Sequence, residues 1–199
     1  MPEIIPLFPL HTVLFPGGLL PLKIFETRYI DMVSECLRQD SGFGVCLIHQ
    51  GHEVGQAAIT WSVGTHARIM DFQQYPDGLL GITVTGQQRF RLHGTQTQSD
   101  NLLCGEISWI DNEQPGPVPA RFQALGDLLL KLVEQDPISG VEGNEALDDA
   151  VQLGYRLAEL LPVALPNRQA LLEITDPLQR LDSLLEWYSQ AIESGSDAE

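Results

Sequence analysis

The chain has few basic residues, few cysteines and no long apolar run. Only two lysines and nine arginines stand against 27 acidic residues, which gives a formal net charge of −16. Nucleic-acid binding depends on basic side chains that neutralise phosphates, so no nucleic-acid partner is expected. The acidity also disfavours anionic membranes, and no apolar stretch reaches the roughly 18 residues of a membrane-spanning helix. Because the N-terminus has no basic region of a secretory signal, we predict a soluble cytoplasmic protein without a membrane partner.

The cysteines and histidines do not form a recognisable metal site. Cys36, Cys46 and Cys104 are odd in number and never occur as Cys-x-x-Cys, which excludes a disulfide framework and a zinc site. We therefore interpret them as reduced core residues. The segment His49–Glu53 contains two histidines and a glutamate, but its glycine indicates a loop, whereas zincins hold such ligands on a helix. No metal and no cofactor is predicted.

No catalytic residue is predicted either. The Gly-x-x-x-x-Gly-Lys-Ser/Thr loop of many ATPases is missing, because neither Lys23 nor Lys131 follows a glycine. Both lysines lie in predicted regular elements, where a solvated side chain is the simpler interpretation. Glu26 and Arg28 resemble a charged pair of an active site, but their position at a helix start favours capping and orientation of that helix.

Prolines alternate with apolar residues at the start of the chain and lead into an amphipathic segment. Pro6 and Pro9 lack a backbone N–H, which predicts an edge or kinked strand. Gly17 and Gly18 predict a turn that folds two extended pieces back on one another. Apolar residues then recur at three- and four-residue steps, which predicts a helix over residues 27–39.

After this helix the apolar period shortens to two residues. We predict short strands at 43–49, 65–72, 79–85, 88–93 and 102–110, closed into an antiparallel barrel. Phe90 and Leu92 alternate with arginines and should face the core. The segment Tyr75–Gly78 is typical of a hairpin turn, because Asp and Gly tolerate left-handed geometry.

A second, helical part follows a proline-rich stretch. Three prolines and a glycine between Asn112 and Pro119 predict a linker. Beyond it, three apolar stripes at helical spacing, together with a short helix capped by Asn167, predict a small bundle. Asp176, with Pro177 at the first helical position, should start the last helix. The predicted architecture is α+β, with a β-barrel at 1–112, a linker at 113–118, a helical bundle at 119–193 and a disordered acidic tail at 194–199.

Short apolar and glycine-containing motifs follow one another in a distinctive order over residues 4–110. They are Leu7-Phe8-Pro9-Leu10, Val13-Leu14-Phe15-Pro16-Gly17, Leu20-Pro21-Leu22, Ile24-Phe25-Glu26, Arg28-Tyr29, Phe43-Gly44-Val45, Leu47-Ile48, Gly51, Glu53-Val54-Gly55, Val63-Gly64-Thr65, Ala67, Ile69, Asp77-Gly78, Gly86 and Arg89-Phe90. This order resembles the N-terminal domain of Lon proteases, and less specifically so do the helices that follow. The resemblance implies a PUA-like barrel followed by helices, and a role in capturing substrate polypeptides. Full Lon proteases also carry an ATPase module and a Ser-Lys proteolytic dyad, for which 199 residues leave no room.

The leading hypothesis from this resemblance is a stand-alone, non-catalytic module that binds exposed apolar segments of unfolded or partly unfolded polypeptides. A client could occupy a groove between barrel and bundle, or add a strand to an exposed edge of the barrel. Aromatic residues placed near turns, namely Phe15, Phe72 and Tyr75, are the candidate contacts.

Two other classes of function stay open. The chain could be an adaptor or regulator of one defined protein, such as a protease that lacks this domain or a second copy of itself. Salt-sensitive affinity for that single partner would then replace broad affinity for unfolded chains. An enzyme acting on a small ligand would instead need a deep pocket with convergent ionisable groups.

Overall fold

The chain divides into two compact units, residues 1–112 and residues 113–199. The structure is a computed structural model, and it describes residues 3–53, 58–75, 79–135 and 147–196. Residues 76–78 of the predicted hairpin turn and residues 197–199 of the predicted tail lie outside the described residues. No described helix is both long and apolar enough to cross a membrane.

The first unit combines a helix with a seven-stranded sheet in its described residues. The elements in chain order are β1 (Glu3–Leu10), β2 (Leu19–Ile24), α1 (Thr27–Gln39), β3 (Phe43–Gln50), β4 (Ile59–Thr60), β5 (Val63–Gln74), β6 (Leu80–Thr97) and β7 (Leu103–Trp109). Helix α1 has the bounds that the sequence predicts. Strand β6 is continuous, whereas the sequence predicts two separate strands with a break near Gly86.

The strands pair in a closed cycle that begins and ends at β1. The hydrogen-bonded order is β1-β7-β6-β5-β3, and β3 pairs with β1 again, while β2 lies on β6 and β4 on β3. Every pair is antiparallel except β1–β3, which is parallel. A parallel pair needs a long crossover connection, and β2 with α1 supplies it here. The α+β class is therefore confirmed, but the sheet is not wholly antiparallel as predicted.

Strand β1 changes its partner half-way along. Residues 3–6 pair with β7, and residues 7–10 pair with β3. The sequence predicts an edge or kinked strand, and the strand as a whole is not an edge strand. Among the described residues, each half nevertheless has one paired side only, so a proline can place its nitrogen where no hydrogen-bond donor is needed. This explains why Pro6 and Pro9 are tolerated inside the sheet.

The Gly17–Gly18 turn attaches to β6 rather than joining β1 to β2. Gly18 N donates to Phe15 O at 3.0 Å, and Gly17 has a φ of 80° after Pro16, the pattern of a type II turn. Gly17 N donates to Gly86 O at 2.8 Å, and Gly86 N donates to Gly18 O at 2.9 Å. Strand β2 then pairs with β6 from Leu19 opposite Thr85 onward. The predicted pairing of the two extended pieces is therefore wrong, because the long strand β6 supplies the partner.

Substitution of Gly86 by alanine is expected to lower the free energy of unfolding by about 1–3 kcal/mol, the usual cost of overpacking. A Cβ atom at this position would lie 2.1 Å from the carbonyl oxygen of Phe15. Gly94→Ala, also in β6, is the matched control, because a Cβ there would meet nothing within 4 Å. Urea titration of both variants measures the difference, and equal stability of the two would contradict the close approach of the turn to β6.

Helix α1 packs its apolar side on the sheet. Tyr29, Met32, Val33 and Cys36 are buried in one core cluster with residues of β1, β2, β3, β5 and β6. All three cysteines are buried free thiols, as predicted, and burial raises the pKa of each, that of Cys46 to about 12.

The start of α1 is anchored by a buried arginine. Arg28 forms an ion pair with Glu26 at 3.0 Å and donates from Nη1 to Asn101 O at 2.9 Å. These contacts orient the helix against the connection between β6 and β7, as expected. The Glu26 side chain makes no cap hydrogen bond, so its predicted capping role is wrong.

Strand β6 confirms the predicted alternation around Phe90. Phe90 is fully buried in a second core cluster, and Leu92 packs against that cluster while partly buried. The exposure of Arg91, which lies between them, follows from the two-residue period of a strand.

The second unit is helical in its described residues. After a 3-10 turn at Ala120–Phe122, its helices are α2 (Gln123–Gln135), α3 (Ala150–Leu160), α4 (Leu165–Glu173) and α5 (Pro177–Ser196). Asp176 Oδ1 accepts from Leu178 N at 2.8 Å, which confirms the predicted start of α5. Asn167 does not cap α4, because this helix begins at Leu165, with Pro166 in its first turn and Ala164 at the cap position.

Candidate functional site

Three neighbouring strand segments form the part of the sheet that carries the candidate contacts. They are residues 19–24 of β2, 80–85 of β6 and 68–74 of β5, with β6 in the centre. We call these three segments the distal sheet. Within the described part of the first unit, no strand pairs with the outer side of either flanking segment.

One face of the distal sheet continues the core and ends in the exposed side chain of Phe72. Phe72, Ile82 and Leu22 lie opposite one another and therefore share this face. Ile82 belongs to the core, whereas the Phe72 side chain is 61% exposed. Met70, at a β-bulge in β5, is 62% exposed. Leu19 at the start of β2 is also exposed, but it lies opposite Thr85 and therefore on the other face of the sheet. We call Leu19, Met70 and Phe72 the distal apolar residues.

The other face of the distal sheet is covered by Tyr75. A Cβ on Gly81 would lie 2.6 Å from Cε2 of Tyr75, so the ring sits directly over this glycine. Lys23 Nζ lies 5.2 Å from the ring centroid, and Gln73 Nε2 donates to the Tyr75 hydroxyl at 3.0 Å. A pocket of about 260 Å³ adjoins the ring and is lined in part by Pro21, Lys23, Asp71, Gln73 and Thr83.

The three predicted contact residues have different positions. Phe15 is 0% exposed and belongs to the core, so it cannot be a contact residue on this surface. Phe72 is exposed and Tyr75 is half-buried, but they lie on opposite faces of the distal sheet. Of the three, Phe72 is the residue exposed on the apolar face, and its role as a client contact stays a prediction.

Sequence analysis missed Leu19 and Met70. The signal for Met70 was present, because two consecutive apolar residues, Ile69 and Met70, break the alternation of β5. Such a break is typical of a bulge, which here falls between Ile69 and Asp71.

The histidines of the first unit make separate contacts in the described residues. His49, from the segment that resembles a metal site, makes an edge contact with Trp61 at 5.3 Å between ring centroids. Burial lowers the pKa of His66 in β5. Within the described ranges, no group of three or more His, Cys, Asp or Glu residues is placed to hold a metal ion. In its described residues, the distal sheet exposes apolar side chains and a strand edge without a strand partner.

Comparison with known protein families identifies the family to which the chain belongs. A sequence model of the ATP-dependent protease La (LON) substrate-binding domain matches residues 4–190. The chain belongs to this family. The match covers both units, so the resemblance found in residues 4–110 is confirmed and extends into the helices.

The curated relatives are much longer proteins. The chain is 25% identical to Lon protease of Cytophaga hutchinsonii over 96% of its own length and 25% of that protein. It is also 25% identical to Lon protease 2 of Myxococcus xanthus, over 94% of its length and 23% of that protein. The chain thus spans about a quarter of the length of the curated relatives that it matches.

Solved structures of Lon N-terminal domains share the fold. A Lon N-terminal domain protein from Xanthomonas campestris is 37% identical, with a TM-score of 0.80 over 93% of this chain and 98% of that chain. The N-terminal domain of Lon protease from the Mycobacterium avium complex has a TM-score of 0.68 at 18% identity, over 94% and 98% of the two chains. The second similarity shows the fold alone.

Proposed function

We propose that the chain binds exposed apolar segments of unfolded or partly unfolded polypeptides and leaves their covalent bonds unchanged. The observation that carries this proposal is the exposure of Met70 and Phe72 on a sheet segment whose outer side has no strand partner in the described residues. Exposed apolar groups next to an open strand edge are typical of interaction sites. Membership of a family described by substrate binding supports the same function.

The expected strength of this binding is modest. Burying the exposed part of one such side chain contributes about 1–2 kcal/mol at roughly 25 cal/mol per Å² of apolar surface. Ordering of the client segment opposes this gain. We therefore expect weak affinity for any one segment, and stronger capture of clients that expose several.

A binding comparison with matched variants tests the proposal. A reduced and alkylated test protein, which stays unfolded, should bind the chain more tightly than the same test protein in its folded form. The double substitution Met70→Ser with Phe72→Ser should weaken binding of the unfolded form about tenfold, since about 1.4 kcal/mol corresponds to one factor of ten. Fluorescence anisotropy of the labelled test protein measures both effects.

Ile59→Ser is the control for this experiment. Ile59 is 60% exposed, as much as Phe72, but it lies in β4, outside the distal sheet. Its substitution should leave the affinity unchanged, and thermal unfolding checks that every variant is folded. Equal affinity for the folded and unfolded forms would contradict the proposal. Tight, saturable binding of a single folded protein would instead support the adaptor alternative.

A further inference from the structure

The outer edge of β5 is open along its last residues. Strand β6 occupies one side of β5 over its length, whereas β3 pairs with the other side only at residues 65–67. No strand among the described residues of the first unit covers residues 68–74 on that side. The bulge at Met70 interrupts this edge, which leaves residues 71–74 as a regular segment.

The hydrogen-bond pattern shows which backbone groups face outward. Tyr75 N donates to Leu79 O, so this pair belongs to the ladder between β5 and β6. Bonded and non-bonded pairs alternate in an antiparallel ladder, so Phe72 and Gln74 direct their backbone groups away from β6. The contact of Phe72 N with Asp71 Oδ1 at 2.8 Å agrees with this direction. The edge therefore carries outward-directed amides at Phe72 and Gln74. The Asp71 carboxylate accepts a hydrogen bond from the Phe72 amide.

The opposite edge of the distal sheet is less suited to a new strand. Pro21 lies opposite Thr83, and the same alternation directs its nitrogen away from β6. A proline there cannot donate to an added strand. Of the two flanking edges, β5 is thus the one without a proline at an outward position in its described residues.

The negative charge of Asp71 at this edge favours a basic client segment over a second copy of the chain. A second copy paired antiparallel around Asp71 would bring the two Asp71 carboxylates together, and each chain carries a net charge of −16. A lysine or arginine facing Asp71 would replace the Phe72 amide as partner of the carboxylate and release that amide for the incoming strand. Because Asp71 and Phe72 lie on opposite faces, apolar residues of the same strand would alternate with the basic ones and contact Phe72.

We propose that the chain captures extended client segments of alternating apolar and basic residues as an additional antiparallel strand on β5 at residues 71–74. This inference rests on the proposed function and specifies its binding mode and the class of segment. The client residue opposite Phe72 is apolar and exchanges backbone hydrogen bonds with it. The next client residue is basic and pairs with Asp71.

Synthetic peptides test the strand geometry. An eight-residue peptide of alternating isoleucine and lysine should bind, and the isoleucine–glutamate analogue should bind at least tenfold more weakly. Methylation of the isoleucine amides should abolish binding, because these amides face β5. Methylation of the lysine amides, which face away, should have little effect. Equal tolerance of both methylation patterns would overturn strand addition.

Variants of the edge provide an independent test. Gln74→Pro should weaken peptide binding because it removes an outward amide without removing a bond to β6. Asp71→Lys should reverse the preference, so that the isoleucine–glutamate peptide binds more tightly. Asp31→Lys, an equal charge change at an exposed site on α1, should keep the original preference.

The outcomes separate this inference from the proposed function. If the Met70 and Phe72 substitutions weaken binding of the unfolded test protein, but methylation and Asp71→Lys change nothing, apolar capture stands and strand addition is wrong. If no unfolded protein or peptide binds, the proposed function itself is wrong. Self-association that Gln74→Pro abolishes would show that a second copy occupies the edge, and would overturn the inference.

Discussion

Arg180→Leu is expected to lower the free energy of unfolding of the helical unit by about 3–5 kcal/mol, the cost of breaking a buried ion pair. Arg180 is fully buried, and its guanidinium donates to both carboxylate oxygens of Glu113, at 2.8 and 2.5 Å. It also donates to the carbonyls of Leu171 at 3.1 Å and Ile174 at 2.5 Å. The substitution would leave the buried Glu113 carboxylate without this partner.

Arg121→Leu is the matched control for Arg180→Leu. Arg121 lies 3.4 Å from Asp182, but both side chains are exposed, so this pair should contribute less than about 1 kcal/mol. Chemical denaturation followed by far-ultraviolet circular dichroism, which reports helix content, compares the two variants. Combining Arg180→Leu with Glu113→Leu should recover part of the loss, because no buried charge then remains. Equal stability of the two single variants would contradict a structural role for the buried pair.

Phe15→Ala is expected to lower the free energy of unfolding of the first unit by about 3–5 kcal/mol, the usual cost of truncating a buried phenylalanine. Phe15 has no exposed surface, and its backbone carbonyl belongs to the turn that bonds to β6. Phe72→Ala should cost less than about 1 kcal/mol, because the larger part of that side chain is already in water.

Urea unfolding and client binding should separate these two phenylalanines. Phe15→Ala should shift the unfolding midpoint strongly and reduce binding only where the fold is lost. Phe72→Ala should leave the midpoint nearly unchanged and still weaken binding of an unfolded client. The reverse pattern, with stability sensitive to Phe72 and insensitive to Phe15, would contradict the placement of both side chains.

Local patterns predicted the elements that depend on local interactions. Helix α1 follows from apolar residues at helical spacing, and the burial of Phe90 follows from alternation with arginines. The start of α5 follows from the Asp176–Pro177 pair, whose carboxylate binds the first free amides. In each case, the signal lies in the spacing of residues that are close in the sequence, although distant residues complete the packing around Phe90.

Contacts between distant residues decided what the sequence could not predict. The sequence predicts a break in β6 near Gly86, but this glycine lies within a continuous strand. The carbonyl of Phe15 approaches it so closely that a Cβ atom would not fit there. Phe15 and Phe72 both lie near turns, yet the first is fully buried and the second lies exposed on an open edge. Glu113 belongs to the predicted linker, but its carboxylate is buried against an arginine 67 residues away.

Amide hydrogen exchange of the chain with and without a saturating unfolded client tests the central claim most directly. The account predicts slower exchange in residues 68–75, where Phe72 and Gln74 direct their amides outward, and no change with the folded form of the same protein. Slower exchange confined to the helical unit, or no change anywhere while the client is bound, would contradict a client site on the distal sheet.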